Sequence, residues 1–190
     1  MNRKVKAVIF ILATAIAFTM IACNKSGGGS SVSVSGGGGK SFNSAEELKE
    51  YLDKQPANTP DKPILVTMNA NAPMLEKISE AINSAGKYVS LNLSGNALTS
   101  IPSVAFFNES TRKGCVPLVA ITIPNSVTSI GEGAFRLCTS LTSVKFEGTI
   151  ASSALNYDAF GIGDIRNKYL AGGPGTYTRQ NGESRTWTKQ

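Results

Sequence analysis

The chain contains no histidine, one tryptophan and three cysteines among its 190 residues. Histidine is the commonest general base near neutral pH and a leading zinc ligand, so its absence removes most hydrolytic triads and catalytic zinc sites. A nucleophilic cysteine is left without an imidazole partner. Charge is sparse: 19 Lys and Arg face 13 Asp and Glu, a net of +6. Arg3, Lys4 and Lys6 belong to the leading segment, and without them the balance is 16 against 13, about +3. No Lys/Arg cluster stands out, which argues against nucleic acid as a partner. Asp158, Asp164 and Glu147 lack the spacing of a calcium loop. No cofactor and no metal are expected, and the chain reads as non-enzymatic. Its length leaves room for about one domain.

What is present begins with an address. "MNRKVKAVIFILATAIAFTMIAC" opens on three cations, followed by the uncharged run Ala7 to Ala22 of 16 residues. A spanning helix needs about 20 apolar residues. A basic start, a short apolar core and small residues at its end mark residues 1–22 as a signal peptide. An ordinary secreted leader is the plain alternative. "MIAC", Met20 to Cys23, resembles the bacterial lipoprotein box. That resemblance implies cleavage before Cys23, a diacylglycerol on its thiol and a palmitate-type acylation of its new amine. Several acyl chains together anchor stably. The implied location is the cell envelope, at the outer membrane or cell surface, with the membrane as a partner. From Asn24 to Ser41 the chain holds seven glycines and six serines in 18 residues. Such a stretch buries no core and spans roughly 25 Å as a flexible coil. Residues 23–41 are expected to be a lipidated tether.

Residues 42–86 read as a helix–strand–helix unit that caps the remainder of the chain. Ser44 and Glu47 have capping-box spacing, ahead of Leu48, Tyr51 and Leu52 on one face. "ILVTM", Ile64 to Met68, is strand-like. A second helix starts near Pro73, turns Met74, Leu75, Ile78, Ala81 and Ile82 inward, and stops at Gly86.

From Lys87 the chain repeats itself. "YVSLNLSG", "LVAITIPN", "LTSVKFEG" and "IRNKYLAG" start at Tyr88, Leu118, Leu141 and Ile165, at spacings of 30, 23 and 24 residues. The first three share apolar positions: Tyr88, Leu91 and Leu93; Leu118, Ile121 and Ile123; Leu141, Val144 and Phe146. Ala85, Cys115, Cys138 and Ile162 precede the starts by three residues. Ala-Phe recurs at 105–106, 134–135 and 159–160. Self-similarity at such a period marks a solenoid. "SIGEGAF", Ser129 to Phe135, could suggest a phosphate loop, but it lacks the lysine and the helix start. Gly131 and Gly133 instead serve a sharp bend.

The L-x-x-L-x-L core resembles leucine-rich repeats. "LVAITIPNSVTSIGEGAFRLCTSLTSVKF" is similar to the Bacteroides-surface-protein (BspA-like) branch, roughly C-x-x-L-x-x-I-x-I-P-x-S-V-x-x-I-G-x-x-A-F. Cys115 to Phe135 matches nearly every position, and Cys138 to Phe160 keeps only part. The expected fold class is α/β: a short leucine-rich-repeat solenoid over 87–172, an N-terminal helix–strand–helix cap, and a C-terminal β-hairpin cap over 173–190. The hairpin is placed around Asn181-Gly182, a strong turn signal, with Tyr177 and Trp187 covering the end of the core.

Strand positions between the inward residues face out: Ser90, Asn92, Ser94, Ala120, Thr122, Ser143, Lys145 and Glu147. Asn92, Thr122 and Lys145 are the candidate ligand contacts. The resemblance implies a surface protein that binds other proteins, in host matrix or on bacterial surfaces, with no oligomeric state indicated. The alternative is a carbohydrate-binding or hydrolase accessory of the envelope, using Tyr177 and Trp187 as a sugar platform. Cys115 and Cys138 are expected as buried neighbours, with free thiols favoured over a disulfide. "NESTRKG", Asn108 to Gly114, reads as a polar loop insertion.

Overall fold

The computed structural model describes residues 39–94 and 97–190; the leader, Cys23 and most of the expected tether lie outside the described residues. The described chain opens as β1 (Lys40–Phe42), α1 (Ala45–Asp53), β2 (Ile64–Asn69), α2 (Met74–Ala85) and β3 (Val89–Ser94). β1 is parallel to β2, and β2 to β3. Parallel neighbours require crossovers, and both helices supply them with an apolar stripe at helical spacing. Leu48 and Leu52 of α1 are buried, as are Leu75, Ile78 and Ile82 of α2. The Ser44 hydroxyl accepts from the Glu47 N–H at 3.1 Å. The Glu47 carboxylate reaches back to the Asn43 N–H at 3.3 Å, one residue before the position usual in a capping box. Gly86 closes α2 at φ 60°, a left-handed stop that glycine adopts without Cβ strain.

Lys40 and Ser41, read from sequence as tether, are strand residues. Gly39 permits the approach, since a Cβ there would lie 2.8 Å from the Leu65 carbonyl oxygen.

Beyond β3 the helical crossovers give way to tighter coils. They contain β4 (Ser100–Ile101), β5 (Phe107–Asn108), β6 (Lys113–Gly114), β7 (Leu118–Ile123), β8 (Ser129–Ile130) and β9 (Ser143–Phe146). β3, β7 and β9 are parallel neighbours. Their register aligns Val66, Leu91, Ile121 and Val144 across four strands, and all four are buried. Val89, rather than Tyr88, is the first inward residue of β3, where a bulge shifts the register. On the return arm β4 pairs with β8, and Ile130 bridges to Leu155. The Ala-Phe pairs follow: Ala105, Ala134 and Ala159 are buried, with Phe106 and Phe135. Each coil hides its apolar face only against the next, so stacking creates the core.

The fourth unit departs from the expected strand. Residues Ile165–Gly172 form helix α3. Ile165 and Tyr169, four residues apart, are the buried pair, while Lys168 points to solvent and Ile162 is 64% exposed. The apolar spacing there fits a helix, which explains why Lys168 stood at a supposed inward position. The Tyr169 hydroxyl accepts from the Ile150 N–H at 2.7 Å and donates to the Gly148 carbonyl at 3.0 Å.

β10 (Gly175–Thr178) and β11 (Thr188–Lys189) then pair antiparallel, with β10 also antiparallel to β9. The main sheet has seven strands in the order β1-β2-β3-β7-β9-β10-β11. The hairpin is not closed by a two-residue turn at Asn181-Gly182. Residues 179–187 form a longer loop, in which Asn181 Oδ1 accepts from the N–H of Glu183 at 3.1 Å and of Ser184 at 2.9 Å. Gly182 lies directly on the Thr139 carbonyl, leaving no room for a Cβ.

Candidate functional site

The register gathers the candidate contacts. Asn92 is opposite Thr122, and Thr122 is opposite Lys145. The row continues to Ser41 and Thr67 on one side and to Thr176 on the other. A second row beside it runs Leu65, Ser90, Ala120, Ser143 and Thr178. Strand neighbours are ~4.8 Å apart, so the six-residue row spans about 24 Å.

The chemistry of this face is hydroxyls, one amide and one ammonium. Asn92 and Lys145 are exposed, and Thr122 is half-buried. Lys145 Nζ meets Glu147 Oε1 at 2.8 Å, with both side chains solvent-exposed; such a pair adds little stability and leaves the ammonium available. Small side chains keep the surface flat, so it suits contact with another macromolecule better than enclosure of a small one.

The cysteines contribute no reactive group. Cys115 and Cys138 are free and buried. Their Sγ atoms donate to the carbonyls of Ser79 at 3.8 Å and Phe106 at 3.7 Å. Burial pushes the Cys115 thiol up to about 12 and raises Cys138 well above its ordinary value. Thiolate, the nucleophilic and metal-binding form, is therefore suppressed. Among the described residues no group of three His, Cys, Asp or Glu side chains is arranged to hold a metal ion. Among them also, no helix is long and apolar enough to cross a membrane.

Tyr177 and Trp187 do not form a platform for sugars. Both are buried, because Tyr177 opposes Val144 on the inward ladder and Arg179 covers Trp187, its guanidinium 4.9 Å from the ring. Arg179 Nε also donates to the Leu141 carbonyl at 2.6 Å, and Asp164 accepts from the Trp187 N–H at 2.8 Å.

The "NESTRKG" insertion is an ordered hairpin. β5 and β6 pair antiparallel, and Asn108 Oδ1 accepts from the Thr111 N–H at 2.9 Å. Beside it lies a cleft of about 470 Å³ against α2, lined by Glu76, Ser79, Glu80, Phe107 and Lys113 among others. The linear pattern did not announce this cleft, since its walls belong to different units of the chain. The wide 30-residue gap between the first two strand starts was its one trace.

Residues 100–161, less than half of the chain, match the family model described as BspA type leucine rich repeat region (6 copies). That span holds the coils from β4 to the third Ala-Phe pair, so this part of the chain is similar to BspA-type leucine-rich repeats. No curated protein and no solved structure matches the chain.

Proposed function

We propose that the chain is a lipid-anchored cell-envelope protein that presents its outer sheet face to other proteins and catalyses no reaction. The observation that carries this is the single exposed row placing Asn92, Thr122 and Lys145 one strand apart. Support also comes from the match to BspA-type repeats, a type of scaffold used for protein interaction or adhesion at surfaces. Cys23 is the lipid-bearing residue in this proposal. The α1–β2–α2 segment closes one end of the repeat stack and the β10–β11 hairpin with Tyr177 and Trp187 closes the other, as terminal units of a solenoid require. Partners are matrix or bacterial surface proteins. A short row binds weakly, and many anchored copies on one cell multiply the contact.

Two measurements test this. Acyl labelling of cells expressing the protein should be lost in Cys23→Ala, and protease on intact cells should reach the chain. Bead-displayed protein should bind matrix proteins or bacterial surfaces saturably, and Asn92→Ala, Thr122→Ala and Lys145→Ala should weaken that binding. Saturable binding unaffected by all three substitutions would remove the row from the proposal; no acyl label would remove the anchor.

A further inference from the structure

A second site lies away from the sheet face. We infer that the cleft between α2 and the β5–β6 hairpin binds an extended polypeptide segment carrying a basic side chain.

The cleft of about 470 Å³ and a neighbouring hollow of about 380 Å³ share Glu76, Ala105, Phe107 and Asn108. Together they make one elongated groove, which suits a strip of chain better than a compact small molecule. Its floor is partly apolar, from Ala105 and Phe107.

The charge of the groove is one-sided. Glu76 and Glu80 stand one helical turn apart on α2 and so share a face. Neither has an ion-pair partner among the described residues. Glu109 adds a carboxylate in the second hollow, and Lys113 is the one cation among the lining residues. Three carboxylates against one ammonium select a cationic group and repel an anion.

A buried hydroxyl points the same way, independently of charge. Ser79, 6% exposed, is the one buried polar side chain among the described residues. It lines the cleft, and its hydroxyl has no nitrogen or oxygen partner among those residues. The Cys115 thiol is its one polar neighbour, and sulfur is a weak partner. Leaving a buried hydroxyl without a full hydrogen bond costs up to about 1–3 kcal/mol. A peptide N–H or carbonyl laid in the groove would satisfy it, which favours a polypeptide over a bare amine.

The walls are fixed in advance. Asn83 Nδ2 donates to the Gly114 carbonyl and Asn83 Oδ1 accepts from the Val116 N–H, each at 3.2 Å, tying α2 to the hairpin. The Arg136 guanidinium lies 5.4 Å from the Phe107 ring centre and holds it in place. No residue of the outward row contributes to the groove, so this site stands or falls apart from the sheet-face proposal.

Fluorescence anisotropy with the full chain tests it. The probes are a labelled peptide of alternating alanine and lysine, and the same peptide with glutamine for lysine. The lysine peptide should saturate, and the glutamine peptide should bind about tenfold more weakly or worse. The double variant Glu76→Gln/Glu80→Gln should lose about tenfold in affinity, while Lys113→Gln should gain a few fold. Ser79→Ala should weaken both peptides alike, because it meets backbone. Asp61→Asn/Glu183→Gln carries the same change in net charge outside the groove and should bind as the wild type does. No saturation by the lysine peptide at millimolar concentration would overturn the inference. So would an equal loss from the groove pair and the control pair, which would mark the binding as unspecific attraction.

Discussion

Phe106 and Phe135 stack with their ring centres 5.0 Å apart and their planes 14° from parallel. Phe160 continues the stack 4.8 Å beyond Phe135, and Phe146, Tyr169 and Tyr177 extend it into the C-terminal elements. One aromatic from each coil thus touches its counterpart in the next. Aromatic pairs of this kind add about 0.5–1.5 kcal/mol beyond the area they bury.

Phe135 has an aromatic neighbour on both sides, so Phe135→Ala should cost about 3–5 kcal/mol. Phe160, at the half-buried end of the ladder, should lose less on truncation to alanine. Denaturant midpoints compared at equal m-value measure both. Equal losses would show that the coils do not depend on the shared ladder.

Val104 takes φ 54°, a conformation costly for a β-branched residue. Gly133 holds the matching position in the next coil, at φ 60°. Gly133→Val should therefore destabilise by about 1–2 kcal/mol. Val104→Gly should change stability by less than about 1 kcal/mol, since relief of strain offsets lost contacts and a freer unfolded chain. Thermal unfolding of the two variants reads the asymmetry, and comparable losses would contradict it.

Tyr169→Phe removes an acceptor from the Ile150 N–H and a donor to the Gly148 carbonyl. Both backbone groups lose a buried partner, so the cost should be about 1–3 kcal/mol. Tyr157→Phe, at a side chain in open solvent, should stay within about 0.5 kcal/mol of wild type. A silent Tyr169→Phe in chemical denaturation would show that the hydroxyl is not holding the turn after β9.

The cysteines predict an alkaline signature. Folding raises the Cys115 thiol from 9.0 to about 12, so the folded state holds that proton more tightly. Its contribution to stability is complete below pH 9 and declines as pH climbs towards 12, by about 1.4 kcal/mol per pH unit. Cys115→Ala should show a shallower decline than wild type across that window. At pH 8 a thiol reagent should leave Cys115 and Cys138 unmodified until the chain is unfolded. Prompt labelling of the native protein at either residue would contradict their burial.

Much of this architecture was legible because the apolar spacing that makes a coil is written locally. Leu118, Ile121 and Ile123 alternate around outward residues, and the Ala-Phe pairs recur at a near-constant interval. The same spacing misled at Ile165. Ile165 and Tyr169 satisfy a strand template loosely and a helix template well, and only the packing of Tyr169 under Gly148 distinguishes them. Asn181-Gly182 signalled a tight turn, but the long-range contacts of Arg179 and Trp187 override that local preference. Lys40 and Ser41 carry no strand signature of their own and join the sheet because β2 offers them an open edge. The outward row could be named residue by residue, whereas its alignment into one line depends on register across four units. The α2 groove depends on tertiary placement alone.

The central claim is that successive coils build one sheet with an apolar ladder on one side and the polar row on the other. NMR distance restraints on the labelled chain test it most directly. The account predicts backbone contacts linking Leu91 to Ile121 and Ile121 to Val144, together with contacts linking Asn92 to Thr122 and Thr122 to Lys145. Absence of those contacts in a folded, dispersed spectrum, or pairing of these strands in another register, would contradict it.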